Sequence, residues 1–162
     1  GAAPDPAAAS GGAAPGHASL PGDPAQWGRI VLTPHPGEAR RLLEAWGRSD
    51  GGDRQAAALA LHECCGAVIV LKGHGTIVTN GERLYLNETG NAGMATGGTG
   101  DVLTGVIAAL MGQGMEPFEA SVLGVHLHGL AGDFAAQDIG PISMTAEDVI
   151  AYLPDAFAEF EE

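Results

Sequence analysis

Residues 90–105, GNAGMATGGTGDVLTG, place six glycines around a single acid, Asp101. A glycine run that leads into a helix lets backbone N–H groups approach a ligand closely, and the positive end of the helix dipole points at that ligand. Such a site favours a negatively charged ligand, and a carboxylate beside that ligand can accept a proton. The stretch therefore predicts either a catalytic anion site with Asp101 as the base or a glycine-rich turn that Asp101 caps.

The known phosphate-binding templates do not fit this stretch. A Walker A loop ends in Gly-Lys-Ser or Gly-Lys-Thr, whereas this run continues with Gly-Asp-Val. A Rossmann fingerprint that started at Gly98 would require a glycine at position 103, where Leu103 stands. The sequence thus belongs to neither of these nucleotide-binding classes.

Two more candidate positions come directly after predicted strands. Lys72 and Gly73 follow the apolar run AVIVL, where a lysine can meet a phosphate or belong to a solvated turn. His35 stands between two prolines in TPHPGE, a context more typical of a rigid exposed loop residue than of a ligand contact. The sequence alone therefore leaves open whether Lys72 and His35 contact a ligand or are ordinary turn and loop residues.

Histidine and cysteine patterns predict no metal centre. His126 and His128 are two residues apart on a predicted helix and diverge by about 200°, so they are expected to be buried, hydrogen-bonded histidines. Cys64 and Cys65 are the only cysteines and lack the partner pair that a zinc site needs. Adjacent cysteines also make an ordinary disulfide unfavourable, which favours core packing and a reducing, cytoplasmic setting.

The elements that must position these residues alternate between strand and helix. A short strand over 30–32 and a central strand over 67–71 precede a hairpin whose strands, 76–79 and 83–86, flank an Asn-Gly turn. Helices are predicted over 37–46 and 53–65, from near Asp101, over 117–136 and from about 146 to 160. The order predicts an α/β sheet with its central strand covered on both faces.

Composition limits the partners that the protein can bind. The 162 residues fit one domain, and twenty acidic against seven basic side chains give a formal net charge of −13. Lys and Arg form no cluster, so nucleic acid and anionic membrane surfaces are excluded as partners. The apolar stretches are shorter than the roughly 20 residues that span a bilayer, which predicts a soluble protein.

Four segments together resemble the NAD(P)H-hydrate dehydratase family of the ribokinase-like superfamily. These segments are VLTPHPGE (31–38), VLKGHGT (70–76), NETGNAGMATGGTGDVLTG (87–105) and AALMGQGMEPFEASVLGVHLHGLAGD (108–133). The resemblance covers nearly everything after Arg29, in the family's order and spacing. It implies a ribokinase-like three-layer α/β/α sandwich, of which this chain supplies the C-terminal part.

The resemblance also implies an activity. Enzymes of this family use ADP or ATP to convert the hydroxyl of hydrated NADH or NADPH into a phosphate leaving group, which is then eliminated to restore the cofactor. Asp101 would be the proton acceptor facing the hydrated nicotinamide, and His35 would touch the hydrated dinucleotide. The resemblance further implies nucleotide-binding residues, namely Lys72, Gly73, His74, Gly75, Thr76 and Gly100, and an anion cradle formed by Gly97, Gly98 and Thr99.

Cofactor and assembly follow from the same resemblance. It implies Mg²⁺ as cofactor and a homo-oligomer of identical chains. Glu38 could help to organise Mg²⁺ through water, although an acid in the first turn that complements the helix dipole is the preferred interpretation.

The resemblance leaves the first part of the family's domain without a counterpart. Residues 1–28 are rich in Ala, Gly and Pro and predict a disordered arm or loop, and residues 29–162 predict the C-terminal part of a dehydratase domain. A sheet without its first strands would expose an apolar edge, so a fragment or a dependence on a partner chain is expected. Two alternatives remain: a ribokinase-like kinase acting on a vitamin-precursor alcohol, and a non-catalytic nucleotide-binding remnant.

Overall fold

The computed structural model describes residues 29–49 and 51–159, and the predicted arm over 1–28 lies outside these described residues. The strands are β1 (Val31–Leu32), β2 (Val68–Leu71), β3 (Ile77–Thr79) and β4 (Leu84–Leu86). The helices are α1 (Pro36–Ala45), α2 (Arg54–Cys65), α3 (Thr99–Gly112), α4 (Pro117–Ile139) and α5 (Ala146–Ala158), with a short 3₁₀ helix at Ala92–Met94. All the elements predicted over the described residues are present, with ends within about three residues of the predicted ones.

The four strands form one mixed sheet in the order β1-β2-β3-β4. Strand β1 pairs in parallel with β2, with Val31 opposite Val68. Strands β2, β3 and β4 are antiparallel neighbours, and the Asn-Gly turn joins the last two as predicted. Because β1 and β2 run in the same direction, the loops that follow them leave the sheet at the same edge.

Alternation along β2 divides the domain into two cores. Ile69 and Leu71 face a cluster built with α1 and α2, whereas Val68 and Val70 face a cluster built with α3 and α4. All four side chains are buried, as a strand covered on both faces requires. The described residues therefore form three layers, helix on sheet on helix, and the predicted α/β fold is confirmed.

Local signals fix where the helices begin and end. The side chains of His35, Asp53 and Thr145 accept hydrogen bonds from backbone N–H groups in the first turns of α1, α2 and α5. Gly66 ends α2 in the left-handed conformation. Helix α4 packs against both neighbouring helices, which explains why it is apolar nearly all round. None of the helices among the described residues is both long and apolar enough to cross a bilayer.

Candidate active site

The loops after β1 and β2 meet each other and the start of α3. The backbone N–H of Lys72, the first residue after β2, donates to the carbonyl of Pro34 at 2.9 Å. The hydroxyls of Thr33 and Thr104 lie 3.2 Å apart and join the end of β1 to the second turn of α3. These contacts bring the candidate residues of three separate segments to one edge of the sheet.

The glycine run leads into α3 through a backbone conformation that favours glycine. Gly98 is the N-cap residue with φ of 91°, and the helix begins at Thr99. The hydroxyl of Thr99 donates to the carbonyls of Met94 and Thr96, so this side chain ties the loop together and is buried. Of the predicted anion cradle, Gly97 and Gly98 are exposed, and Thr99 can contribute only through its backbone.

Lys72 reaches the first turn of α3 with its ammonium group. A β-carbon built at Gly100 would lie 2.9 Å from Lys72 Nζ, so the amine lies directly against the helix backbone. The pKa of Glu38 in α1 is lowered chiefly by its hydrogen bond to the His35 backbone and that of His128 in α4 chiefly by burial, and the charge of Lys72 lowers both further. Lys72 and Gly100, which lie in two separate segments of the sequence, are thus adjacent in the structure.

His128, on α4, supports the first turn of α3 through a hydrogen bond. Its Nε2–H donates to the carbonyl of Thr99 at 2.9 Å, and the ring is buried. Burial lowers the pKa of His128, the bond to Thr99 opposes that shift, and the charge of Lys72 lowers the pKa further. The expectation of a buried, hydrogen-bonded histidine is confirmed for His128.

Asp101 stands in the first turn of α3 with its side chain exposed to solvent. Its backbone N–H donates to the carbonyl of Gly98 at 3.0 Å. Within residues 29–49 and 51–159 its carboxylate makes no hydrogen bond or ion pair. A carboxylate in this position is accessible to a ligand and available to accept a proton.

His35 and Glu38 cap α1 together. Nδ1 of His35 accepts from the N–H of Gly37 at 3.0 Å and from that of Glu38 at 3.3 Å, and the Glu38 carboxylate accepts from the His35 backbone N–H at 2.8 Å. This backbone hydrogen bond is the largest of the causes that lower the pKa of Glu38. The geometry supports the interpretation of Glu38 as a first-turn acid and shows that His35 is a helix cap rather than a simple loop residue.

The turn after β2 has a strongly bent backbone that Arg54 supports. Gly73 and Gly75 adopt φ of 136° and 62°, and the Thr76 hydroxyl donates to the carbonyl of Gly73 at 3.1 Å. The guanidinium of Arg54, at the start of α2, donates to the carbonyls of Leu71, Lys72 and His74. Arg54 was not among the residues predicted from the sequence, although a cation at a helix N-terminus, where the dipole disfavours it, was a usable signal.

A second residue that sequence analysis left without a role anchors the loop before the glycine run. The carboxylate of Asp133, on α4, accepts from the backbone N–H of Gly90 at 2.8 Å and from the amide of Asn91 at 3.0 Å. The only sequence signal was an acid in the middle of an apolar helix. Asp133 thus anchors the loop that leads into the glycine run and the start of α3.

Beyond the residues above, the surface offers cavities but no cluster of metal ligands among the described residues. No group of three or more His, Cys, Asp or Glu that could hold a metal ion exists in the part of the chain that the structure describes. A cavity of about 350 Å³ lies beside the loop after β1, lined by Leu32, Thr33, Pro34, Glu38, Arg41 and Leu42. A cavity of about 580 Å³ on α4 and α5 is rimmed by Asp138, Asp155 and Glu159, whose charges disfavour phosphate.

Comparison with known proteins shows that the chain matches one family over most of its length. The model of the NAD(P)H-hydrate dehydratase family matches residues 17–155. The chain is 46% identical over 136 residues to the bifunctional NAD(P)H-hydrate repair enzyme Nnr of Moorella thermoacetica, covering 83% of this chain and 26% of that enzyme.

Solved structures agree with the fold. The ADP/ATP-dependent NAD(P)H-hydrate dehydratase from Bacillus subtilis, co-crystallised with ATP and Mg²⁺, matches with a TM-score of 0.73 and 32% identity over 80% of this chain and 47% of that one. A ribokinase-like superfamily protein from Enterococcus faecalis matches with a TM-score of 0.66 and 31% identity, over 81% of this chain and 45% of that one. The chain therefore spans a quarter to a half of the length of these relatives.

Proposed function

The chain belongs to the NAD(P)H-hydrate dehydratase family, and on that premise we propose that its protein uses ADP or ATP to dehydrate hydrated NADH and NADPH to the intact cofactors. The reaction is a carbon–oxygen elimination, and the protein is a lyase of nicotinamide nucleotide repair. The observation that carries the proposal is the convergence of Lys72, Gly100 and the exposed acid Asp101 at the start of α3.

The chemistry explains why these residue types are needed. Hydroxide is a poor leaving group, and transfer of a phosphoryl group to the hydroxyl of the hydrated ring makes a good one. Such a transfer needs an acceptor for the hydroxyl proton and stabilisation of charge on the transferring group. In this proposal the Asp101 carboxylate accepts the hydroxyl proton as the phosphoryl group is transferred. Phosphate then leaves one ring carbon and a proton leaves the adjacent carbon for solvent, which restores the double bond of the ring.

The phosphates bind to backbone and ammonium groups around the start of α3. The N–H groups of Gly97, Gly98, Thr99 and Gly100 and the dipole of α3 favour anionic oxygens at this end. The Lys72 ammonium lies against the same turn and supplies a full positive charge. The turn formed by Gly73, His74, Gly75 and Thr76 carries the remaining nucleotide contacts.

His35 and Mg²⁺ have supporting roles. His35 faces the hydrated dinucleotide with its exposed side chain, while its Nδ1 keeps α1 capped. Mg²⁺ commonly binds through nucleotide phosphates, water and one or two carboxylates, which is compatible with the lack of a three-ligand cluster among the described residues. When bound, it would neutralise phosphate charge during transfer. We further propose a cytoplasmic homo-oligomer.

The test follows the reduced ring directly. The complete protein, as its gene encodes it, is incubated with hydrated NADH and either ADP or ATP with Mg²⁺, and the absorbance of the reduced nicotinamide is recorded. The proposal expects the absorbance to return only when a nucleotide is present. A stable phosphoester of an alcohol substrate would identify a kinase instead, and nucleotide binding without any turnover would identify a non-catalytic remnant.

A further inference from the structure

Arg54 carries two of its donor groups into the turn that follows β2. Its Nη2 donates to the carbonyls of Leu71 at 3.2 Å and Lys72 at 3.3 Å, and its Nη1 donates to the carbonyl of His74. The third donor, Nε, is buried and has no hydrogen-bond partner among the described residues. The guanidinium is therefore held by the three carbonyls of this turn.

Because the peptide bond is planar, these contacts also fix the directions in which the N–H groups of the turn point. In a trans peptide the carbonyl of one residue and the N–H of the next point in opposite directions, and the described residues include no cis peptide. The Leu71 carbonyl faces Arg54, and the N–H of the same peptide group, on Lys72, points away and donates to Pro34. By the same geometry the N–H groups of Gly73 and Gly75 point away from Arg54.

Charge gives a second reason for an arginine at this position. The protein has only seven basic residues in a chain of net charge −13, yet two of them, Lys72 and Arg54, flank this turn. Among the described residues no carboxylate lies within 4.0 Å of the Arg54 guanidinium, so its charge is not neutralised by an ion pair. The helix dipole disfavours a cation at the start of α2, which leaves the turn as the reason for its placement.

We propose that Arg54 is a positioning residue for the nucleotide, because it fixes the turn over residues 72–76 so that the N–H groups of Gly73 and Gly75 face the bound ADP or ATP. This inference rests on the proposed function. A β-carbon at Gly73 would lie 3.0 Å from Arg54 Nη2, so the turn packs directly on the guanidinium. Arginine suits this task because its planar fork serves several acceptors at once, whereas lysine offers a single point charge.

The test compares Arg54→Gln and Arg54→Lys with the wild type in the complete protein. We expect the Kd for ADP and the KM for the nucleotide to rise about tenfold or more in Arg54→Gln and less in Arg54→Lys, which keeps the charge. The kcat at saturating nucleotide and the KM for the hydrated dinucleotide are expected to stay near the wild-type values. Arg48→Gln, which removes an exposed ion pair of Arg48 with Glu63 on α2, is the matched control and should leave ADP binding unchanged.

The outcomes separate this inference from the proposed function. A wild-type protein that does not bind ADP overturns the proposed function, whereas a wild-type protein that binds ADP while Arg54→Gln binds it equally well overturns only the role of Arg54. If Arg54→Gln fails to fold, ¹⁵N amide signals of the wild type decide. We expect the signals of Gly73 and Gly75 to shift on addition of ADP, and unmoved signals at saturation would refute the inference.

Discussion

The ammonium of Lys72 lies so close to the backbone of Gly100 that a β-carbon at residue 100 would be only 2.9 Å from Nζ. The contact joins the loop after the central strand to the first turn of α3. It places a positive charge beside the helix end that the proposed function assigns to the nucleotide's phosphates. Any side chain at position 100 must displace that charge.

Gly100→Ala tests this relationship. We expect the Kd for ADP to rise about tenfold, because the new methyl group moves the Lys72 ammonium away from the phosphates. The free energy of unfolding should stay within about 1 kcal/mol of wild type, since alanine is the better helix former. Gly105→Ala on the same helix is the control, since a β-carbon there meets no atom within 4 Å. Equal ADP affinity of the wild type and Gly100→Ala would show that the position of the Lys72 ammonium does not affect nucleotide binding.

Asp101→Asn tests the proton acceptor. We expect turnover of hydrated NADH to fall by at least about 10²-fold while the Kd for ADP changes little, because the amide removes the base and leaves the backbone donors in place. Steady-state kinetics and ADP titration measure the two quantities separately. Asp155→Asn makes the same chemical change on the exposed surface of α5 and should leave turnover unchanged. Wild-type turnover in Asp101→Asn would remove this residue from the chemistry.

Two glycines of the predicted cradle are expected to respond differently to valine. At Gly98, φ is 91° and an added β-carbon would lie 3.1 Å from Ala146 Cβ, so valine there should both destabilise the fold and weaken nucleotide binding. At Gly97 an added β-carbon meets nothing within 4 Å. Gly97→Val should therefore keep the wild-type unfolding temperature but bind ADP more weakly, if phosphates approach this backbone. Unchanged ADP affinity in Gly97→Val would place the phosphates elsewhere.

His128 predicts a dependence of stability on pH. Its pKa is lowered from the ordinary value of 6.5, chiefly by burial, so below pH 6.5 the unfolded chain binds a proton that the folded protein does not. This contribution to stability is intact above pH 6.5 and is lost as the pH falls from there towards the lowered pKa of His128. Denaturant unfolding of the wild type at pH 7.5, 6.5 and 5.5 should show decreasing stability.

The variant His128→Gln isolates this effect. It should be less stable overall, because the bond to Thr99 and the packing of the ring are disturbed, but its stability should vary less between pH 7.5 and 5.5. The carboxyls of Glu38, Glu119 and Asp148 have pKa values lowered below their ordinary ones, so their titration lies beneath this window. An identical pH dependence in the variant and the wild type would show that His128 is not the responsible group.

Short-range patterns in the sequence were enough to predict the strands, the helices and the candidate site residues. Hydrophobic spacing, the Asn-Gly turn and the capping residues act over a few neighbouring positions, which is why strands, helices and the helix start inside the glycine run were predictable. The family segments likewise identified Asp101, Lys72 and the glycines as candidates. Their functional roles remain predictions for the experiments above.

Which of these residues lie in contact depends on how the elements pack. The contact of Lys72 with Gly100, the bond from His128 to Thr99 and the bonds from Arg54 to the turn after β2 join residues 17 to 29 positions apart. Such contacts depend on the parallel pairing of β1 with β2 and on the packing of α3 and α4 against one face of the sheet. Local patterns carry no information about that packing, because side chains distant in the sequence become neighbours only when the layers close around a common core.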